Sequence, residues 1–334
     1  MRIAVDAMGG DFAPREVVTG AVQAARELET EVLLVGDTAA ITQVLQECCG
    51  GAEQPFVSLV PASEVVEMNE SAAQAVRRKR DSSVAVAARL IRAGEANALV
   101  SAGNTGAAVA SAVLYMGQIP GIERPAIACV LPTFRGRMVC LDLGAVVDCR
   151  PRQFVDFAIM GSIYAHRVLG VEKPRVVLLN IGAEESKGNE TTKAAYRLLH
   201  ETVGIDFAGN CEPDELFSGE FEVAVCDGFV GNILLKTAEG VGSLVTGLIR
   251  REIENSQDPE CMRKVLGPVV QRALFGLAYE EHGGAHLLGV NGVCVIGHGR
   301  SSAKAIVNAI RVARRGAEQD VVGYIAKLVS KNAG

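Results

Sequence analysis

RIAVDAMGGDFAP, spanning Arg2–Pro14, decides how the rest of the chain is read. A short apolar run ends in Asp6, and Gly9 and Gly10 then let the backbone turn tightly or come close to a ligand. Pro14 suits the first turn of a helix, where its missing N–H is no loss. Beyond it, Val17, Val18, Ala21, Val22, Ala25 and Leu28 recur with helical period. The same passage from strand through glycine and polar residues into helix returns in ALVSAGNTGAAVA (Ala98–Ala110), VVLLNIGAEESKGNET (Val176–Thr191), VAVCDGFVGNILL (Val223–Leu235) and VCVIGHGRSSAKAI (Val293–Ile306). Each instance sets backbone N–H groups, small side chains and one or two polar groups at the carboxyl end of a buried strand. Open α/β sheets bind ligands there, and helix N-termini at that edge favour anions. The pattern points to an enzyme for a small anionic substrate.

Outward from these passages, strands are expected at Ile3–Asp6, Glu31–Val35, Phe56–Val60, Ala96–Val100, Ala126–Leu131, Arg137–Leu143, Arg175–Leu179, Phe221–Cys226 and Val293–Ile296. Helical segments alternate with them, which indicates an α/β fold. The run Ser71–Ala93 is helical in composition but broken by Arg77, Arg78, Lys79 and Arg80. A long helix from Asn232 to about Ile253 precedes a second helical run interrupted at Gly267–Pro268. No linker is long or polar enough to separate independent domains. The expectation is one catalytic unit over residues 1–334, with residues 232–285 a helical arm within it.

Composition narrows the function. The 334 residues are 49% hydrophobic with 36 glycines, the mix that many short strand–turn–helix transitions produce rather than disorder. With Trp absent, 4% aromatic residues and a net charge of −6, neither base-stacking platforms nor a broad phosphate-backbone footprint is expected, so nucleic acid is not a partner. Nine unevenly spaced cysteines read as reduced core residues, Cys140 and Cys149 among them, and suggest a cytosolic protein. The first residues offer no secretory pattern and no apolar run reaches membrane-spanning length, so a soluble chain is expected. Neither a Walker A sequence nor the dinucleotide fingerprint is present, which leaves a nicotinamide cofactor unsupported.

Five loops carry candidate chemistry. Asp6, Gly9, Gly10 and Asp11 form either a tight turn with a helix cap at Asp11 or a ligand loop. Ser101, Gly103, Asn104 and Thr105 stand at a helix entrance where an oxyanion can be held by N–H groups. Asn180, Gly182, Lys187 and Gly188 bracket an ammonium suited to a compact phosphate, with Glu184 or Glu185 available to orient it. Asp227 can fix a donor while Asn232 contributes near the next helix start. His298 can donate a hydrogen bond or act as acid–base. His282 and His286 have helical spacing, but Gly283 and Gly284 spoil a rigid platform and no third ligand is evident, so no metal is expected. On the arm, Arg250, Arg251, Arg263 and Lys264 accompany Val269, Val270, Leu274 and Phe275. Subunit packing explains that surface; so does contact with an acidic carrier protein or an anionic bilayer.

Taken in order, DAMGGDFAP (Asp6–Pro14), SAGNTGA (Ser101–Ala107), RPAIACVLPT (Arg124–Thr133), NIGAEESKGNE (Asn180–Glu190), DGFVGN (Asp227–Asn232) and the His298–Gly299 pair resemble the bacterial phosphate acyltransferases of phospholipid synthesis over nearly the full chain. The resemblance implies a three-layer α/β/α fold similar to isocitrate and isopropylmalate dehydrogenases, with a protruding helical segment. It implies transfer of a long-chain acyl group from acyl carrier protein to inorganic phosphate without a cofactor. It further implies a homodimer at the inner face of the cell membrane, peripherally bound, that supplies acyl phosphate to a membrane glycerol-3-phosphate acyltransferase. On this reading Lys187 and the Asn104–Thr105 helix entrance position phosphate, Asn232 or His298 contacts the acyl oxygen or leaving thiol, and Asp6, Asp11 and Asp227 orient the donors. One departure stands out: family members commonly close a DxGAN-like segment with asparagine, and here Asp142–Ala145 is followed by Val146. A β-decarboxylating dehydrogenase and a non-catalytic membrane- or carrier-binding protein are the competing classes.

Overall fold

The computed structural model describes residues 1–50, 54–274 and 283–332. Its strands are β1 (Arg2–Asp6), β2 (Glu31–Gly36), β3 (Val57–Pro61), β4 (Ala98–Ser101), β5 (Ala126–Thr133), β6 (Gly136–Leu141), β7 (Arg175–Leu179), β8 (Asp206–Cys211), β9 (Val223–Val225), β10 (Ala285–Leu288) and β11 (Val293–Ile296). They form one 11-stranded sheet in the order β3-β2-β1-β4-β11-β10-β5-β6-β9-β7-β8. The strands β3, β2, β1, β4 and β11 are mutually parallel, as are β6, β9, β7 and β8. Antiparallel pairing of β10 with both β11 and β5, and of β5 with β6, splices the two parallel sets.

The helices are α1 (Arg15–Leu28), α2 (Thr38–Cys49), α3 (Ala72–Arg78), α4 (Ser83–Arg92), α5 (Thr105–Ser111), α6 (Pro151–Tyr164), α7 (Glu190–Glu201), α8 (Gly228–Glu254), α9 (Pro259–Leu274), α10 (Ala303–Glu318) and α11 (Val321–Asn332). Neighbouring strand residues face opposite layers, as the period of two requires. Ile3 and Val5 pack with Val17, Ala21 and Ile310 from α1 and α10, whereas Ala4 packs with Val84, Ala88 and Ala107 from α4 and α5. In the other half Val139 and Leu141 meet Phe154 and Phe157 of α6, while Met138 and Cys140 face the opposite layer. Burial on both faces makes this a three-layer α/β/α fold.

Several expectations change. β8 and β10 were not legible: β8 carries Gly209 at positive φ and is an edge strand, and β10 is four residues long behind two glycines. His286 therefore lies on a strand rather than sharing a helix face with His282, which falls outside the described residues. The His286 ring is buried with Nδ1 2.8 Å from the Tyr164 hydroxyl, and burial pulls its pKa down to about 4. The Ser71–Ala93 segment divides at the basic cluster as expected, into α3 and α4, with Lys79 turned back to bond the Val65 carbonyl and Glu70. Pro268 does not break its helix; α9 runs through it, and the exposed site leaves the freed carbonyl open to water.

α8 and α9 form the projecting arm. Of the 27 residues in α8 only Gly228, Gly231 and Ile253 are buried, so the helix extends beyond the layer it starts in. Val241, Leu244, Leu248, Val265 and Val269 are exposed on it, as are Arg250, Arg251, Arg263 and Lys264, and Val270 is half-buried. Leu274 ends α9, and Phe275 lies outside the described residues. No helix among the described residues is long and apolar enough to cross a membrane.

Candidate active site

A cleft of about 580 Å³ opens where the two parallel sets meet. Asp11, Thr105 and His298, from the loops after β1, β4 and β11, line it on one side; Asn232, from the second turn of α8, lines it on the other. Its floor is apolar: Ile127, Cys129 and Leu131 on alternate positions of β5, with Ala285 and Ile296 from the paired strands beside them. Burial drives the Cys129 thiol up to about 12, so it is part of the floor rather than a nucleophile.

Beneath the polar edge lies a buried scaffold. Asp6 accepts 2.7 Å from Ser101 Oγ and 3.3 Å from Met8 N, and burial raises its carboxyl above the usual range despite those bonds. A Cβ at Gly9 would stand 2.5 Å from Asp6 Oδ2 and 2.8 Å from Gly103 N, so the first two loops touch through glycine alone. Gly10, at φ +120°, lies in the region that favours glycine. Asp6, Gly9, Ser101 and Gly103 thus shape the site from behind, together with Asn104. The Asn104 side chain is engaged at both ends: Oδ1 caps α5 by accepting 3.0 Å from Ala107 N, and Nδ2 donates to the carbonyls of Glu67, Met68 and Glu70. Thr105 is the member of that entrance exposed to the cleft.

Asp11 does not cap α1, whose N-cap is Pro14 without a side-chain bond. Instead Asp11 N donates 2.7 Å to the Gly299 carbonyl and ties the first loop to the last. His298 Nδ1 accepts 3.1 Å from Arg300 N. A backbone N–H can only donate, so the neutral ring carries its proton on Nε2.

In the second half, Asp227 caps α8 by accepting 2.8 Å from Val230 N. Asp142, absent from the sequence-derived candidates, holds the adjoining loop: its carboxylate accepts from Ile127, Gly144, Ala145 and Val146 N at 2.9, 3.2, 3.1 and 2.6 Å. Burial raises its pKa, opposed by those same bonds. A Cβ on Gly144 would stand 3.7 Å from Asn232 Cβ, so this loop backs the α8 start. At position 146 the backbone does the joining, with Gly228 N donating 2.8 Å to the Val146 carbonyl and the valine side chain packed on the core. The signal for Asp142 was present: a strand ending in Asp with Gly144 two residues on, much as Asp6 is followed by Gly9 in the first passage.

Lys187 follows β7 and does not line the cleft. Its Nζ is 3.9 Å from Glu184 Oε2, while Asn180 Nδ2 donates to the Lys187 carbonyl at 3.3 Å and to Asn210 Oδ1 at 3.1 Å. Gly182 is covered by the Lys187 stem, and Gly188 turns at φ +91°. β7 pairs with β9, which places this loop at the same edge as Asp227. No group of three His, Cys, Asp or Glu side chains poised for a metal occurs among the described residues.

The family model for a fatty acid synthesis protein matches residues 1–323. A phosphate acyltransferase from Heliobacterium modesticaldum is 50% identical over 325 residues, covering 97% of this chain and 96% of its own. The chain belongs to the phosphate acyltransferase family. It is therefore an enzyme of fatty acid and phospholipid synthesis that uses acyl and phosphate substrates. A phosphotransacetylase from Streptococcus pyogenes superimposes with a TM-score of 0.67 at 15% identity, covering 96% of this chain and 94% of that one. A 4-hydroxythreonine-4-phosphate dehydrogenase from Klebsiella pneumoniae gives 0.50 at 15% identity, covering 95% and 99%. These two share the fold, which is the dehydrogenase-like architecture expected of the family.

Proposed function

We propose that the chain transfers a long-chain acyl group from acyl carrier protein to inorganic phosphate, releasing acyl phosphate and the carrier thiol. What supports this most directly is a polar-edged cleft with an apolar floor. It offers hydrogen-bond donors to a reacting carbonyl and a dry surface to a hydrocarbon chain. A phosphate oxygen attacks the thioester carbon, the C–O bond forms, the C–S bond breaks, and the departing sulfur takes a proton. Phosphate is already nucleophilic, so alignment and oxyanion stabilisation supply the catalysis. Thr105 and the α5 entrance position phosphate in this scheme; Lys187, assigned to phosphate from its sequence pattern, stands outside the cleft at the β7 edge. The Nε2–H of His298 and the Asn232 amide serve the acyl oxygen or leaving sulfur. Asp11 and Asp227 act through the loops they hold.

The exposed apolar side chains of α8 and α9 support pairing with a second copy as a homodimer. The cluster of Arg250, Arg251, Arg263 and Lys264 supports contact with an acidic carrier protein or with the inner face of the cell membrane from the cytoplasm. The membrane acceptor of the product in this scheme is a glycerol-3-phosphate acyltransferase. Incubation of the purified protein with acylated carrier protein, with and without phosphate, tests the reaction. Acyl phosphate should be detected by mass spectrometry only when phosphate is present. Thioester loss that ignores phosphate, or no loss at all, refutes it.

A further inference from the structure

The apolar floor of the cleft runs from the level of Asn232 to an apolar corner at the far end of β5. Along β5, Ile127 lies beside Leu143, which donates its N–H to the Ile127 carbonyl, and so marks the level of the Asp142 loop and Asn232. Five residues on, Pro132 stands about 17 Å away at strand rise. There Phe217, on the short helical turn Leu216–Ser218, crosses over: its carbonyl accepts 3.0 Å from Phe134 N. Phe217 lines the cleft together with Leu131 and Pro132 and packs on the same core cluster as Leu131 and Leu235. Across the sheet, β10 separates β5 from β11, and Ile296 opposes Ala285. His298 thus starts about two strand spacings, roughly 10 Å, to the other side. By register His298 is level with Leu131 but two strands aside, so Phe217 is the apolar corner at the end of β5 away from Asn232.

We infer that Phe217, backed by Leu131 and Pro132, closes the distal end of an acyl-chain trough and so limits the chain length the enzyme takes. The inference rests on the acyl-transfer reading above and adds its specificity determinant. A chain whose thioester is held at the Asn232 end lies over Ile127, Cys129 and Leu131 and ends against the Phe217 ring. Each methylene buried there favours the longer substrate, and each one past the ring meets a wall. The Lys236–Glu239 pair, 2.7 Å apart and partly exposed on α8, borders the solvent side of the trough and keeps its charges out of the floor.

The test is a chain-length profile of kcat/KM with carrier protein bearing saturated acyl groups from eight to eighteen carbons, for wild type, Phe217→Ala, Phe217→Leu and Cys129→Phe. Phe217→Ala should raise the ratio of the longest to a mid-length substrate at least tenfold, the discrimination about one or two buried methylenes provide. Phe217→Leu should shift it in the same direction by less and guards against misfolding of the alanine variant. Cys129→Phe fills the floor midway and should move the optimum to shorter chains. Wild type active with phosphate, but with profiles that superimpose across all folded variants, overturns the trough assignment alone. Wild type without phosphate-dependent transfer overturns the underlying reaction and this inference with it.

Discussion

Asp156→Asn isolates a buried charge that the fold tolerates at a cost. Asp156 is fully buried on α6; Oδ2 accepts 2.9 Å from Glu123 N, and Oδ1 makes no hydrogen bond to a described residue. Arg152 Nε, one turn earlier, is 3.7 Å away and partly exposed, too distant to offset desolvation. Burial consequently lifts the carboxyl to about 6, with the Glu123 N–H and Arg152 opposing the rise and the Glu123 charge adding to it. The sign follows from linkage: the folded state holds a proton more tightly than the unfolded chain. This group's contribution to stability therefore falls as pH rises from about 4 through 6. About two pKa units correspond to a penalty on the order of 3 kcal/mol, complete near pH 7.5, and roughly half of it is gone by pH 5. Fixed costs of the substitution cancel when the variant is compared with wild type across pH, as do the same-signed contributions of Asp6 and Asp142. Urea melts at pH 5 and pH 7.5 should thus show the asparagine variant gaining roughly 1.5 kcal/mol on wild type at the higher pH. A stability difference that does not change with pH refutes a charged, unsatisfied Asp156.

Three further outcomes bear on the site. Lys187→Ala should raise the phosphate KM at least tenfold while leaving the melting temperature within a degree or two, since its ion pair with Glu184 is long and half-exposed; steady-state kinetics with both parameters unchanged remove Lys187 from the phosphate site. Asn232→Ala, at an exposed position, should lower kcat by about a hundredfold with little loss of stability, the size of effect expected for one oxyanion donor; a purely KM effect would reassign it to ground-state binding. Gly9→Ala forces a methyl against Asp6 Oδ2 and Gly103 N, neither of which can retreat, and should destabilise the fold by about 1–3 kcal/mol; a melt matching wild type would mean the two loops are not in the contact described.

Much of this was legible because the glycine-loop passages combine two local signals. A run of apolar β-formers marks a strand buried on both faces, and Gly or Asx beyond it marks the turn and cap. Hence β1, β4, β7, β9 and β11 were placed within two residues, and Asn104 stands at a helix entrance as expected, whereas α8 starts at Gly228 with Asp227 as its cap, four residues before the expected start at Asn232. Where propensity and length were weak the sequence said little: β10 has four residues behind Gly283–Gly284, and β8 tolerates Gly209 because an edge strand has one partner fewer. The resemblance extended the reading to phosphate and acyl chemistry, and full-length relatives bear out the family.

Local pattern alone determined that the chain is a layered α/β enzyme with polar loops at strand ends, since period, turn chemistry and capping act over a few residues. Which loops meet was decided by pairing between residues far apart in the chain. The antiparallel splice through β10 and β5 brings Asp11, Thr105 and His298 to one cleft with Asn232 and leaves Lys187 at its neighbouring edge. The same splice turns Ile127, Cys129 and Leu131, which read as ordinary core, into a cleft floor. An alternating strand looks identical in sequence whether a helix or a ligand covers it; only the position of α8 settles which.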